Sequence, residues 1–461
     1  MGQESWTLQR CIEHALTNNL QVQQSALSVD ISEINREQRF ASTLPSLNAG
    51  ATHGYNFGRS IDPFTNTFAT QRIRSNSLFA ATNVTLFNGF QNVNSVRQAN
   101  VDIEAAKADR ERMINDVALN VANAYLNILF TDELLRISLS NRQATQAQTD
   151  RMAKMVTSGA MAKGMLLDLE AQLAQDEVSV ITAENNRMLA ILLMTQLLQL
   201  SPAEASGFEV APPQNLAPEN VKLLDNPDAA VSNALNNFPE IRAAQARVLS
   251  AEKGLLVARG SRSPSIDLRY SYGTGYSGAN KIPVGDPINL GNVPIGTVSG
   301  TGDVVLSIQE LETFKDFETK AFKDQIPDNL NQSLFFSLNI PIFNGRMAHA
   351  SVQRAKVNLL SNNLTLETTR NQLRQNVERA HADAIAAQKT LAANDKALEA
   401  SEEAMMYAAA RYEQGASNFA DYQASRTRLD AANANHLRAK YDYVFKTKIV
   451  DFYMGQPINL Q

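Results

Sequence analysis

The stretch SLFAATNVTLFNGF, Ser77 to Phe90, governs the reading of this chain because it returns as SLFFSLNIPIFNGR, Ser333 to Arg346. Aligned at an offset of 256 and extended to Ala99 and Ala355, the two segments share 10 of 23 positions. The same offset pairs Asn120 and Val121 with Asn376 and Val377, and Gly159 and Ala160 with Gly415 and Ala416. Upstream the repeat continues at an offset of 219. There ALTNNLQV (Ala15 to Val22) matches ALNNFPEI (Ala234 to Ile241), and Leu44-Pro45-Ser46-Leu47 matches Ser263-Pro264-Ser265-Ile266. The difference assigns 37 additional residues to the second copy, between Ile266 and Ser333. The chain is one unit written twice, with a period far too long for a solenoid.

Each copy has the same internal order. Thr7 to Thr43 contains neither Pro nor Gly and reads as helix until Pro45, since the residue before a proline is pushed out of the α region. Leu47, Ala49, Ala51, His53, Tyr55 and Phe57 then alternate with polar or small residues, the period of a strand. In the second copy Ile266, Leu268, Tyr270 and Tyr272 alternate in the same way, as do Leu334, Phe336, Leu338, Ile340 and Ile342. One apolar and one polar face over about ten residues suits a membrane β-barrel strand, and equally a half-buried sheet in a soluble protein. After each strand pair a long proline-free stretch follows, with Ile114, Val117, Val121, Ala124 and Ile128 stepping 3, 4, 3, 4, a coiled-coil seam.

These patterns predict a first repeat over 1–228: helix 7–43, strands 46–57 and 75–87, long helix 90–156, tip 157–164, helix 165–199 and linker 200–228. They predict a second over 229–461: helix 229–262, strands 265–273 and 332–343, a long insertion 274–331, long helix 346–412, tip 413–418 and helix 419–453. The insertion is glycine-rich over 273–302, as a long loop would be, and Ile308 to Gln325 reads as a short amphipathic helix within it. Four strands cannot close a barrel, and an open edge cannot sit in lipid. Membrane-spanning strands would therefore need several chains to share one barrel.

Composition narrows the function. The chain of 461 residues is 44% hydrophobic but only 19% charged, with net charge −5; nucleic-acid binding would need a clustered basic face. Asn, Gln, Ser and Thr replace the missing charge. The single cysteine, Cys11, excludes an internal disulfide and reads as a small buried residue. His14, His53, His349, His381 and His436 have no metal-ligand spacing. Gly273 to Gly278 matches a dinucleotide-binding glycine pattern, but no helix follows it, as such a site requires. We therefore expect no catalytic residues, no metal site and no cofactor. No signal peptide is visible in MGQESWTLQR, so the protein is cytoplasmic or the signal has been removed.

The order helix–strand–strand–helix–tip–helix, written twice, resembles the TolC family of outer membrane efflux proteins. The resemblance is carried by WTLQRCIEHALTNN, by the paired Leu-Pro-Ser and Ser-Pro-Ser corners, by Asn88-Gly89 and Asn344-Gly345 in the LFNGF and IFNGR corners, and by the tip segments GAMAKGMLLDLEAQL and RYEQGASNFADYQASRTRL. It implies a mainly α fold in which a long coiled-coil helical barrel is continuous with a transmembrane β-barrel. Each chain would supply four strands, and trimerisation would complete the barrel. It implies an export duct spanning the bacterial outer membrane into the periplasm, with a periplasmic adaptor and an inner-membrane pump as partners. It also implies a gate at the tips, where Tyr412 and Asp421 fit the family pattern of a Tyr three residues before the tip Gly and an acid six after it. Copy one departs from that pattern, with Val156 and Met165 at those places and Asp168 the nearest acid. Gly159, Ala160, Gly415 and Ala416 would contact the adaptor. The alternative reading is a soluble coiled-coil scaffold or a periplasmic adaptor, which would need no lipid-facing strands.

Overall fold

The computed structural model describes residues 5–62, 64–69, 72–212 and 226–456. The chain divides into two compact units. One is helical and comprises Met1–Arg36, Arg97–Lys253 and Lys356–Gln461; the other comprises Glu37–Val96 and Gly254–Ala355 and carries the main sheet.

The duplication is visible in the lengths of the elements. Helices α1 (Leu8–Asn18) and α2 (Leu20–Ala41) lead to β1 (Ser46–Asn56), the short β2 (Ser60–Ile61) and β3 (Phe68–Ala69), and β4 (Ile73–Phe87). Then come α3 (Gln91–Thr157), α4 (Lys163–Leu197) and the single-turn α5 (Pro202–Ala205). The second copy begins with α6 (Asp228–Asn237), α7 (Pro239–Gly260) and β5 (Ser265–Ser277). Its insertion contains β6 (Lys281–Val284), β7 (Ile288–Asn289), β8 (Pro294–Thr297), β9 (Val304–Leu306), β10 (Glu312–Thr313), β11 (Asp316–Thr319) and α8 (Phe322–Asp328). The copy closes with β12 (Asn331–Asn339), α9 (Met347–Glu413) and α10 (Phe419–Tyr453). The long helices α3 and α9 both have 67 residues, and α4 and α10 both have 35. At 1.5 Å per residue the former are each about 100 Å long.

Several segments differ from the sequence reading. The helix expected over 7–43 divides at Asn19, whose backbone is extended. The Asn19 side chain accepts from the Gln21 N–H at 2.9 Å and donates to the Leu197 carbonyl at 3.1 Å, offering the backbone an alternative to the helix. The helix expected over 229–262 divides at the equivalent position, Phe238, where Pro239 forces the preceding residue out of the α region. The strand expected to reach 343 ends at Asn339, two residues before Pro341, which has no N–H for a ladder. The amphipathic helix expected over 308–325 is absent there. Instead β10 and β11 pair with β7 and β6 in a long hairpin, and helix forms only at α8. Strand partners far along the chain override local helical periodicity here. Linker residues 213–225 lie outside the described residues.

Within the sheet-bearing unit, the main sheet has the order β1-β4-β5-β12, all pairs antiparallel. The register sorts its residues by face. Leu47, Ala49 and Ala51 of β1, Leu78, Ala80 and Val84 of β4, Ile266, Leu268, Tyr270 and Tyr272 of β5, and Leu334, Phe336 and Leu338 of β12 share one side. Asn48, Thr52, Ser77, Asn83, Asp267, Arg269, Ser271, Ser333 and Ser337 share the other. The apolar side is exposed in the single chain, with Leu47 at 77% and Phe336 at 67%. Among the described residues no helix is long and apolar enough to cross a membrane.

The strand-to-helix corners are nearly identical. Gly89 and Phe90 have φ of 64° and 61°, Gly345 and Arg346 62° and 64°. Asn88 caps α3 by accepting from the Asn92 N–H at 3.3 Å. A Cβ on Gly89 would lie 2.5 Å from the Gly260 carbonyl oxygen, so two backbones touch there and only glycine fits.

The helical unit has its core around α1. Leu8, Cys11, Ile12 and Ala15 pack with Val117, Val121, Ala124, Tyr125 and Ile128 of α3, Met194 of α4 and Val444 of α10. The seam read from the sequence is thus the buried stripe of α3. Burial pushes the Cys11 thiol up to about 12, as befits an inert core residue. A second core joins Ala230, Ala234, Phe238 and Ile241 to Leu366, Leu373 and Val377 of α9.

Candidate functional site

Both tips are built by the same helix stop. At the end of α3, the Ala160 N–H donates to the Met155 carbonyl at 2.9 Å and the Gly159 N–H to Val156 at 3.0 Å. At the end of α9, Ala416 donates to Arg411 at 2.8 Å and Gly415 to Tyr412 at 3.0 Å. This paired closure requires a left-handed residue, and Gly159 (φ 77°) and Gly415 (φ 69°) supply it. Open space surrounds both glycines, so the demand is conformational, not steric.

Across the second tip, α10 starts at Asn418, whose side chain accepts from the Asp421 N–H at 2.8 Å. Asp421 is exposed in the first turn, where a carboxylate is favoured by the helix dipole. Tyr412 has a different setting. Its ring stacks on Tyr422 with centroids 5.1 Å apart and lies 6.0 Å from Phe419. Burial, then Tyr422 and the Asp168 carboxylate, raises the Tyr412 phenol above its ordinary pKa. The Asp168 carboxylate thus acts electrostatically on Tyr412, and Asp168 and Asp421 are both exposed.

The contacts that join the two tips within the chain are ones the sequence reading did not single out. Gln148 of α3 donates to the Tyr422 hydroxyl at 2.7 Å. Gln423 of α10 donates to Gln172 of α4. One layer further, Arg426 of α10 enters the interior and pairs with Asp176 of α4 at 3.1 Å, with side chains only 7% and 8% exposed. Its guanidinium also donates to Thr145 Oγ1 at 2.6 Å and to the Asn141 carbonyl at 3.0 Å, both on α3. Asp176 accepts in addition from Gln172 at 2.7 Å and from the Thr145 hydroxyl. Asp430, one turn beyond Arg426, accepts from Asn141 at 2.8 Å. Burial raises the Asp430 carboxyl pKa, against the opposing pull of Arg426 and the Asn141 hydrogen bond.

A buried ion pair is stable only when its lone pairs and protons are satisfied, and here three helices contribute to that. The arrangement holds α10 against α3 and α4 directly behind the tip. It contains no nucleophile–base pair. Among the described residues no cluster of three or more His, Cys, Asp or Glu could hold a metal ion. The spacing Tyr422, Arg426, Asp430 was the available sequence signal: a cation one turn from a buried aromatic on the same stripe.

The chain matches the family model "Outer membrane efflux protein" over residues 11–198 and 230–455. It is similar to outer membrane efflux protein BepC of Brucella suis, 22% identical over 407 residues, covering 87% of this chain and 75% of BepC. Its fold is similar to the CmeC outer membrane channel of Campylobacter jejuni, with a TM-score of 0.76 at 16% identity over 97% of this chain and 85% of that one. It is also similar to the outer membrane protein VceC of Vibrio cholerae, with a TM-score of 0.74 at 15% identity over 98% of this chain and 97% of that one.

Proposed function

The chain belongs to the outer membrane efflux protein family, the TolC-like channels of the bacterial outer membrane, and from that premise we propose that three copies close a 12-stranded barrel and form a passive duct gated at the tips. As a channel of this family it is a transporter rather than an enzyme, which removes the soluble-scaffold alternative. The repeats 1–228 and 229–461 each contribute two strands and one tip.

One observation carries the closure between copies. Within the chain, β4 of the first copy pairs with β5 of the second, and this sets Phe79 opposite Gly273. The edges β1 and β12 remain open. Transferring the observed register through the two repeat offsets pairs β12 with β1 of the partner subunit. Phe335 then falls opposite Gly54 of the partner subunit, the same residue types in the same places. Closure in this register leaves no edge in the lipid.

At the tip, the Tyr412 and Ser417 hydroxyls are buried without a hydrogen-bond partner among the described residues. An adjoining copy can supply those partners, as buried polar groups require. Tyr412 and Asp168 would hold the tips of neighbouring copies together, and Asp421 would line the entrance. Gly159, Ala160, Gly415 and Ala416 form exposed turns suited to receive a periplasmic adaptor. An inner-membrane pump supplies the energy, since the duct makes and breaks no bond. Opening requires α10 to move from α3 and α4, against the Arg426–Asp176 pair.

Cysteine crosslinking tests the closure. The transferred register sets Ser337 opposite Thr52 of the partner subunit. The Ser337→Cys, Thr52→Cys variant, oxidised in detergent, should migrate without reductant as covalently linked trimers. Moving the second cysteine to Asn48, on the same face, should abolish most of the linkage. Equal linkage from both variants, or a monomer in each, would remove the proposed register.

A further inference from the structure

The outward face of the sheet ends in two arginines that the duct does not use. In β1 the outward row runs from Leu47 through Ala49, Ala51 and His53 to Tyr55, nine residues, the length a tilted strand needs to cross the hydrocarbon. In register with it, β4 passes from Leu78 through Asn76 to Arg74, and Arg74 lies opposite Tyr55. The helices join this sheet at the Ser46 and Phe87 end; Tyr55, Arg74 and the loops lie at the other end. The outward row therefore passes from aliphatic residues through the His53–Asn76 pair to a level where Tyr55 and Arg74 stand side by side, as aromatic and basic residues gather at a membrane–water interface.

The two cations are held in place. The Arg74 guanidinium lies over the Tyr276 ring, 4.9 Å from its centroid, and donates to the Tyr276 hydroxyl at 3.0 Å. The Arg72 guanidinium lies over the Tyr55 ring at 4.8 Å. Both arginines are exposed. The described ion pair of the neighbouring loop joins Lys320 to Asp328, and the nearby Asp62 carboxylate is engaged by Ser277, Thr65 and Phe64. On α8, whose Phe322 ring packs at 5.7 Å from Tyr276, Lys323 and Asp324 offset one another. A ring beneath a guanidinium fixes its plane, and the N–H donors left over, after Arg74 has given one to Tyr276, can meet a phosphate's oxygens.

We propose that Arg72 and Arg74 form a binding site for the phosphate of an outer-leaflet lipid headgroup, seated on the Tyr55 and Tyr276 rings. The site rests on the membrane placement of the sheet and not on the number of copies. Tyrosine bodies meet the acyl boundary, and the guanidinium edges meet the phosphate above it. The site would anchor the sheet at a defined depth.

The test is native mass spectrometry of the detergent-purified assembly, titrated with phosphorylated lipid A and, separately, with the same lipid after enzymatic dephosphorylation. The wild type should favour the phosphorylated lipid by about 10- to 30-fold, the combined worth of two interfacial arginines. Arg72→Gln with Arg74→Gln should erase the preference while the assembly mass in the same spectrum stays unchanged. Replacing both with Lys should keep part of it. Equal binding of the two lipids by the wild type overturns the site, as does a full preference in the Gln variant. If the double variant fails to assemble, Arg72→Gln alone decides, because Arg72 lies outside the strand: the preference should fall to about 3- to 6-fold, the worth of the remaining arginine, and a full wild-type preference overturns the site.

Discussion

Arg426 on α10 and Asp176 on α4 face each other at 3.1 Å in the interior behind the tips, with Thr145 of α3 bonded to both. This triangle ties one helix of the second tip to both helices of the first. Arg426→Ala leaves a buried carboxylate without its cation and should cost about 3–5 kcal/mol. Replacing the pair together, as Arg426→Met with Asp176→Leu, should be close to neutral in stability. Thermal unfolding of the detergent-solubilised protein separates these outcomes. Similar losses in both variants would mean that packing volume, not charge pairing, holds the helices.

The gate should respond to Asp421 through charge alone. Its carboxylate is exposed and makes no ion pair among the described residues. Asp421→Ala should raise single-channel conductance in a planar bilayer or weaken block by divalent cations, with little change in melting temperature. If conductance and block both stay at wild-type values, Asp421 does not line the entrance.

The tip turns should tolerate substitution by conformation rather than by size. Gly415→Ala meets no atom but must hold a left-handed backbone, at about 1–2 kcal/mol. Gly415→Asn should cost less, and Gly415→Val more, because a branched Cβ is worst there. The ranking can be read from melting temperatures. Equal costs for Asn and Val would show that the tip refolds around the change.

In the loop between β1 and β4, acid should loosen a clasp. Burial alone would raise the Asp62 carboxyl, but it accepts from the Ser277 hydroxyl, from the N–H groups of Thr65 and Phe64, and from the Thr65 hydroxyl; together these hold its pKa below the usual carboxylate range. A depressed pKa stabilises the fold above the unfolded value, roughly 3.9, and the benefit fades as pH falls through the folded value. Protease cleavage of residues 57–69 should therefore rise steeply below about pH 4. Asp62→Asn should be cleaved readily at neutral pH and show little further change with acid.

The succession of elements was legible because the chain states it twice. Pro45 and Pro264, the Asn-Gly corners and the tip glycines punctuate both copies, and each has a local cause. The hairpin of β6 to β11 was not legible, because Glu312 and Asp316 become strand residues only when Asn289 and Val284 arrive opposite them. The break at Asn19 depends in the same way on a carbonyl 178 residues distant. Tyr412 and Asp421 follow the spacing of the family's tips, while Asp168 is only the nearest acid where copy one departs from it. The pairing of Arg426 with Asp176 could not be read, since they lie 250 residues apart at positions the repeat does not equate. What a residue does through its own backbone could be read; what it does through a partner needed the partner's position.

The Phe79–Gly273 register also bears on how such a ring is made from dilute chains. In the proposed trimer there are six equivalent junctions between half-chains, and the duplication makes three of them intramolecular. Those three form within one chain, at an effective concentration fixed by the segment that joins β4 to β5, however scarce the protein is. Assembly then depends on the third power of chain concentration, where a ring of separate halves would depend on the sixth. A channel made in small numbers per cell gains most from that difference.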